Sequence, residues 1–232
     1  MDARIYKGYI DILNEELLPA MGCTEPISLA YAAALARLVL GRLPESVEIS
    51  VSGNILKNVK SVIVPNTGGL KGVCAAAAAG IAAGKADKKL QVLSEVTEDD
   101  FVKIKQYLDS ASFKVTHAQN GCVFDIGVKV SNGDDNAFVR IEGYHTNVVE
   151  ITKNGESILH NSRTYIGDGK LTDRSILNVR DIVEFADTVN VNDIEEIISR
   201  QIEYNTAIAE EGLKNDYGAN LGKVLLSAFG DG

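Results

Sequence analysis

The sequence lacks most of what would place it outside a reducing cell interior. It has three cysteines in 232 residues, an odd number with no extracellular signature, so a disulfide framework does not organise the fold. No apolar run is long. The richest, residues 74–83, falls far short of the roughly 20 residues that cross a bilayer. The opening MDARIYKGYIDIL is amphipathic and charged and has no apolar signal-peptide core. Together these absences predict a cytoplasmic protein. Positive charge is also scarce: 23 Lys and Arg against 32 Asp and Glu give a net charge of −9. That balance repels phosphates at long range and speaks against general nucleic-acid or anionic-membrane binding, while allowing a small anion in a local positive pocket. There is no GxSxG elbow, no HExxH, no Walker A and no dinucleotide fingerprint, and no two cysteines form a CxxC pair.

What is present is ordinary for a folded chain, with 45% hydrophobic and 24% charged residues, enough for one large domain or two small ones. The pattern runs α, then β, then α. Helical spacing over residues 5–18 places Ile5, Tyr9, Ile12 and Leu13 on one face. Residues 24–41 form an Ala- and Leu-rich helix closed by Gly41 and Pro44. VEISVS (47–52) alternates as a half-buried strand, and 59–64 reads as a second strand-like run. An Ala-rich helix covers 70–83, a short strand 90–93, and a helix 97–108 capped by Thr97 with Asp100 three residues on. From Phe113 the period becomes two, and FKVTHA, CVFDIGVKVS and AFVRIEGYHTNVVEITKNG predict a meander turning at residues 132–135. Irregular text follows to Asp173, then helices at 176–186, 191–211 and 213–228. The fold class is α+β (mixed α/β). Its parts are a helix-rich 1–112, a β-meander 113–170 and C-terminal helices 171–232.

The stretch 17–34, LLPAMGCTEPISLAYAAA, carries the first chemical feature. Thr24 is placed as an N-cap, with Glu25 and Pro26 in the first helical turn, so the helix N-terminus points back at Cys23. Such an environment lowers a thiol's pKa and favours the thiolate. The other reading of Cys23 is a small buried hydrophobe, and local features favour neither. In NTGGLKG (66–72) the glycines allow close backbone approach, and Asn66, Thr67, Gly68, Gly69 and Lys71 form a candidate anion site before a helix. The plainer alternative is a turn whose glycines supply positive φ. Asn54, Lys57, Asn58 and Lys60 either face that pocket or form a solvated loop. His145, Thr146 and Asn147 interrupt strand text; they read as a cleft wall with His145 as an acid–base group, or as surface residues. Cys74, Cys122, His117 and His160 read as structural.

Three segments, MGCTEPISLAYAAA, GNILKNVKSVIVPNTGGLKG (53–72) and GYHTNVVEI (143–151), together resemble the L-cysteine desulfidase family, within the group that contains the alpha part of iron–sulfur L-serine dehydratases. The resemblance covers roughly the first two thirds of the chain. It implies a 4Fe–4S cluster held by three cysteines, with Cys23 as the one present here and two more in a C-terminal portion that this chain lacks. The implied reaction is β-elimination: L-cysteine gives sulfide, pyruvate and ammonia, and serine loses water instead. An open iron would receive the leaving group, and no pyridoxal phosphate is implied. Asn54, Asn66, Thr67, Gly68, Gly69, Lys71 and Asn147 would bind the substrate, and His145 or Lys57 would take the α-proton. An isolated chain of this kind is expected to carry no complete cluster. Its expected partners are the amino-acid substrate and either further copies of itself or a complementary C-terminal chain. Two other readings remain beside this one: a non-catalytic module for a small carboxylate or phosphate, and one subunit of a split enzyme. A thiol hydrolase stands further off, since no base–orienter pair accompanies Cys23.

Overall fold

The computed structural model describes residues 1–160 and 172–230. Its contacts separate two compact units, Pro19–Lys170 and a second that joins Met1–Leu18 to Leu171–Gly232. The first helix, α1 (Ala3–Glu16), therefore belongs with the C-terminal helices. Asp2 caps it by accepting from the Arg4 and Ile5 amides.

The central unit begins with α2 (Thr24–Leu40), which ends where Gly41 takes a left-handed φ of 86° and its amide bonds the Arg37 carbonyl. Next come β1 (Ser46–Val51), α3 (Gly53–Val59), α4 (Val73–Ala83), α5 (Glu98–Ser110) and β2 (Ser112–His117). The meander β3 (Asp125–Asn132), β4 (Asp135–Glu142), β5 (Val148–Lys153) and β6 (Glu156–His160) completes the unit. The six strands form one sheet in the order β2-β1-β3-β4-β5-β6, in which only β1 and β2 run parallel. A parallel neighbour requires a crossover, and α3, α4 and α5 supply it.

Strand alternation builds the core directly. Val47, Ile49 and Val51 of β1 stand opposite Val130, Val128 and Ile126 of β3, which in turn face Ala137, Val139 and Ile141 of β4. All nine are essentially inaccessible to solvent. α2 packs on β3, β4 and α4, and α4 on α5. Both core helices are small-sided, and at Gly80 a β-carbon would lie 2.1 Å from the Ala30 carbonyl oxygen. Alanine and glycine are what let these two helices approach so closely.

Several local expectations change. The polar run after β1, read as a loop between strands, is helix α3. Residues 90–93 form no strand: Ala86–Gln91 is 3-10 helix, and Leu93 is buried after it. β2 pairs with β1 and not with the meander. Asn154 and Gly155, both at positive φ, turn the chain into the additional strand β6. The expected irregular stretch up to Asp173 lies mostly outside the described residues. The helix expected at 97–108 is found as Glu98–Ser110 with its Thr97–Asp100 capping box, and the hairpin at 132–135 is found as expected.

In the other unit, α6 (Val179–Thr188), α7 (Val191–Lys214) and α8 (Leu221–Phe229) accompany α1. The small core is Tyr9, Ile12 and Phe185, with the Tyr9 and Phe185 rings edge to face at 5.3 Å. Arg174 pairs with Glu15 and Glu16 to tie the returning chain to α1. The fold is α+β. Among the described residues no helix is long and apolar enough to cross a membrane.

Candidate functional site

The site forms where α2 starts. Gly22 has a φ of 88°, open to glycine, and turns the chain into Cys23. Cys23, and not Thr24, is the N-cap: its backbone is extended, its side chain caps nothing, and Thr24 is already helical. Glu25 becomes the hub. Its carboxylate accepts from the Cys23 thiol (3.2 Å), the Thr24 hydroxyl (3.4 Å) and the Asn58 amide on α3 (3.1 Å).

His145 lies in the β4–β5 connection, where the charge of Glu25 acts on it. Ser28, one turn further along α2 and fully buried, donates to the His145 carbonyl at 2.7 Å, and Phe124 meets the imidazole edge to face at 4.6 Å. Three segments distant in sequence, 22–28, 53–59 and 143–148, therefore meet at the start of α2, the last of them through Ser28.

The electrostatics follow from that arrangement. Burial, then the Glu25 carboxylate, push the Cys23 thiol above its ordinary value, although the Glu25 backbone amide pulls the other way. The expected lowering of this thiol's pKa is thus reversed: the helix places an amide at the sulfur and a carboxylate beside it, and the carboxylate with burial prevails. For Glu25 itself, burial works to raise the pKa. Hydrogen bonds from Cys23, its own amide and Asn58, together with the charge of His145, outweigh burial and hold Glu25 below the ordinary carboxylate range. Burial pulls His145 below its usual value against an opposing effect of Glu25, so the imidazole is neutral near pH 7.

The other expected site residues are distributed less evenly. The loop 66–72 does lie beside the Cys23 turn, since a β-carbon on Gly22 would sit 4.0 Å from Pro65. Within the loop, however, Asn66 donates its amide to the Leu93 carbonyl at 3.0 Å, and Thr67, buried, donates its hydroxyl to the Val64 carbonyl at 2.7 Å. Both side chains thus hold the turn closed. Gly68 and Gly69 supply the positive φ the turn needs, Gly68 against the Phe101 ring, and Lys71 is exposed. Asn147 is buried and donates to the Glu142 carbonyl at 2.8 Å. Lys57 is exposed on α3.

Asn54 lies one helical turn before Asn58 and lines a separate cavity of about 500 Å³ with Gly53, His117 and Cys122. Cys122 is therefore no simple packing residue: it is half-buried, and its thiol donates to Glu142 at 2.8 Å. Glu142 and Asp125 are both buried beside Arg140, whose guanidinium pairs with Asp125 at 2.7 and 3.2 Å. Sequence reasoning missed Glu25 as the hub, because an acidic residue in a first helical turn is ordinary helix chemistry. Its place in the Cys-Thr-Glu run beside a thiol was the only available signal.

Cys74 sits in α4, where burial raises its thiol. Among the described residues no three His, Cys, Asp or Glu side chains are grouped to hold a metal ion. Cys23 is one thiol beside one carboxylate, a donor set that does not fit a three-cysteine cluster site by itself.

Comparison with known proteins finds no matching family model and no matching solved structure. Among curated proteins, the chain is 50% identical over 228 residues to a UPF0597 protein of Desulfitobacterium hafniense, covering 98% of this chain and 53% of that protein. It is 44% identical over 227 residues to a UPF0597 protein of Treponema denticola, covering 97% and 53%. With a UPF0597 protein of Shewanella oneidensis the identity is 35% over 228 residues, again covering 98% and 53%. The chain is thus similar to UPF0597 proteins along nearly its whole length, and it spans about half the length of these relatives.

Proposed function

We propose that this chain is one part of an amino-acid β-eliminating lyase of the cytoplasm, acting on L-cysteine or a close analogue such as L-serine. The observation that carries the reading is the meeting of Cys23, Asn58 and the His145 backbone at the start of α2, the first two on Glu25 and the third on Ser28. It brings together the segments whose sequences resemble the desulfidase group. β-Elimination needs a base for the α-proton, donors for the substrate carboxylate and an acceptor for the leaving group. His145, neutral near pH 7, has the protonation state of a base. The backbone amides of residues 68–71, with Lys71 beside them, are the carboxylate donors of this reading. Asn66 and Thr67 act through the shape of that loop, which weighs against a dedicated anion-binding module built on their side chains.

The leaving-group acceptor is not found among these residues. A cluster with three cysteine ligands would take one of them from Cys23 and the others from outside this chain. The deciding experiment joins this chain to the further portion of the Desulfitobacterium relative, treats the fusion anaerobically with iron and sulfide, and measures sulfide and pyruvate released from L-cysteine. The fusion is expected to turn over, and Cys23→Ser to abolish turnover. The 232-residue chain alone is expected to release none. Turnover that survives Cys23→Ser would refute the assignment, and robust turnover by the chain alone would refute its partial character.

A further inference from the structure

Helix α8, LGKVLLSAF, carries a single charged residue, Lys223, in nine. Leu221, Val224, Leu225, Leu226 and Phe229 are nevertheless between 56% and 77% exposed. These apolar residues fill one broad side of α8, opposite Lys223 and Ser227, and a contiguous bare patch of this kind marks an interaction surface. α7 divides into two halves. Its first half buries Ile197 and sets Ile194 against the Tyr9–Phe185 cluster. From residue 201 onward Ile202, Ile208 and Leu213 are exposed. The bare residues of the two helices are held together. Tyr217 donates to Glu211 at 2.7 Å, Lys223 pairs with Asp216 at 2.7 Å, and Gly222 lies against the Leu213 side chain.

The relatives are longer than this chain. Each matches 97–98% of this chain with only 53% of its own length, so nearly half of each relative is additional polypeptide. We propose that α8 and the outer half of α7 are the docking surface for that further portion. Carried on the same polypeptide, it would be present at one equivalent and high effective concentration, whereas a second copy of this chain would cover the face only through concentration-dependent association. The inference goes beyond the lyase reading and holds whatever chemistry Cys23 serves.

Hydroxyl-radical footprinting and photo-cross-linking of the 232-residue chain and of the full-length Desulfitobacterium relative test it. In the relative, the counterparts of Leu221, Leu225, Leu226 and Phe229 are expected to be oxidised at least tenfold more slowly than in this chain, and to cross-link to the portion beyond the match. Equal oxidation in the two proteins overturns the proposal. So do cross-links confined to the matched portion, or equivalent protection of this chain alone through a concentration-dependent homodimer.

Discussion

At the scale of single residues one carboxylate acts upward on the pKa values of two neighbours, in each case beside a larger effect of burial. Burial is the first cause of the high Cys23 thiol pKa and Glu25 the second, while for His145 burial lowers the pKa and Glu25 partly restores it. Glu25→Gln removes the charge and leaves burial in place, so both pKa values should fall together. Each unit of fall on the thiol raises its thiolate fraction about tenfold well below the pKa, so alkylation of Cys23 at neutral pH should speed up several-fold. Alkylation rates against pH and an NMR titration of His145 would check this, and a rise in either pKa would show that Glu25 is not the hub. His145 also sets a pH dependence of stability. Its folded pKa lies below the ordinary 6.5, so as pH drops under 6.5 the unfolded chain takes up the proton first. Its contribution is therefore whole above pH 6.5 and is lost as the pH falls toward the folded pKa. In His145→Gln, Tm should fall less steeply with acid below pH 6.5 than in the parent chain. An unchanged slope would mean that the imidazole is not held neutral by its surroundings.

At the scale of elements, the approach of α2 to α4 decides most. A β-carbon on Gly80 would meet the Ala30 carbonyl oxygen at 2.1 Å and its Cα at 2.9 Å, all backbone that cannot rotate aside. Gly80→Ala should therefore cost roughly 2–3 kcal/mol despite the better helix propensity of alanine. Gly212→Ala, inside α7 with nothing within 4 Å of the new carbon, should instead stabilise by about 0.5–1 kcal/mol. Urea denaturation of both variants gives the comparison, and a neutral Gly80→Ala would mean that the helices can move apart freely. Ser28→Ala should cost about 1 kcal/mol, because it removes the bond from α2 to the His145 carbonyl. The elements legible in the sequence were those with a long clean period: α2, α4, α5 with its cap, and the β3–β4–β5 meander. α3 was not legible, because a helix of seven residues shows less than two turns of period, and its asparagines and lysines suit a loop equally well. β6 was missed because the turn at Asn154 and Gly155 looked like an end and not a reversal. The site was half legible. The thiol and His145 carried local signals, but their proximity depends on tertiary packing that bonds the β4–β5 connection to Ser28 near the start of α2.

At the scale of the whole chain, burial is very unequally shared. The unit Pro19–Lys170 holds the sheet, α2 and α4, with an extended cluster of fully buried Ile, Leu, Val and Ala side chains. Among the described residues, the unit made of Met1–Leu18 and Leu171–Gly232 has one small cluster, Tyr9, Ile12 and Phe185, ringed by partly buried neighbours, with Ile197 buried apart from it. Hydrophobic burial is the main term opposing chain entropy, so the second unit should open at much lower free energy than the first. Native-state hydrogen exchange across a urea series would read this directly. Amides of α6 and α7 should exchange through openings that cost far less than those of β1, β3 and β4, and the two sets should merge only near global unfolding. One common opening free energy for both sets would contradict this account. The same measurement on the full-length relative separates intrinsic weakness from a missing cover. If the further portion docks on α7 and α8, the counterparts of these helices should rise toward the protection of the sheet, while the sheet itself, already near the global limit, should change little.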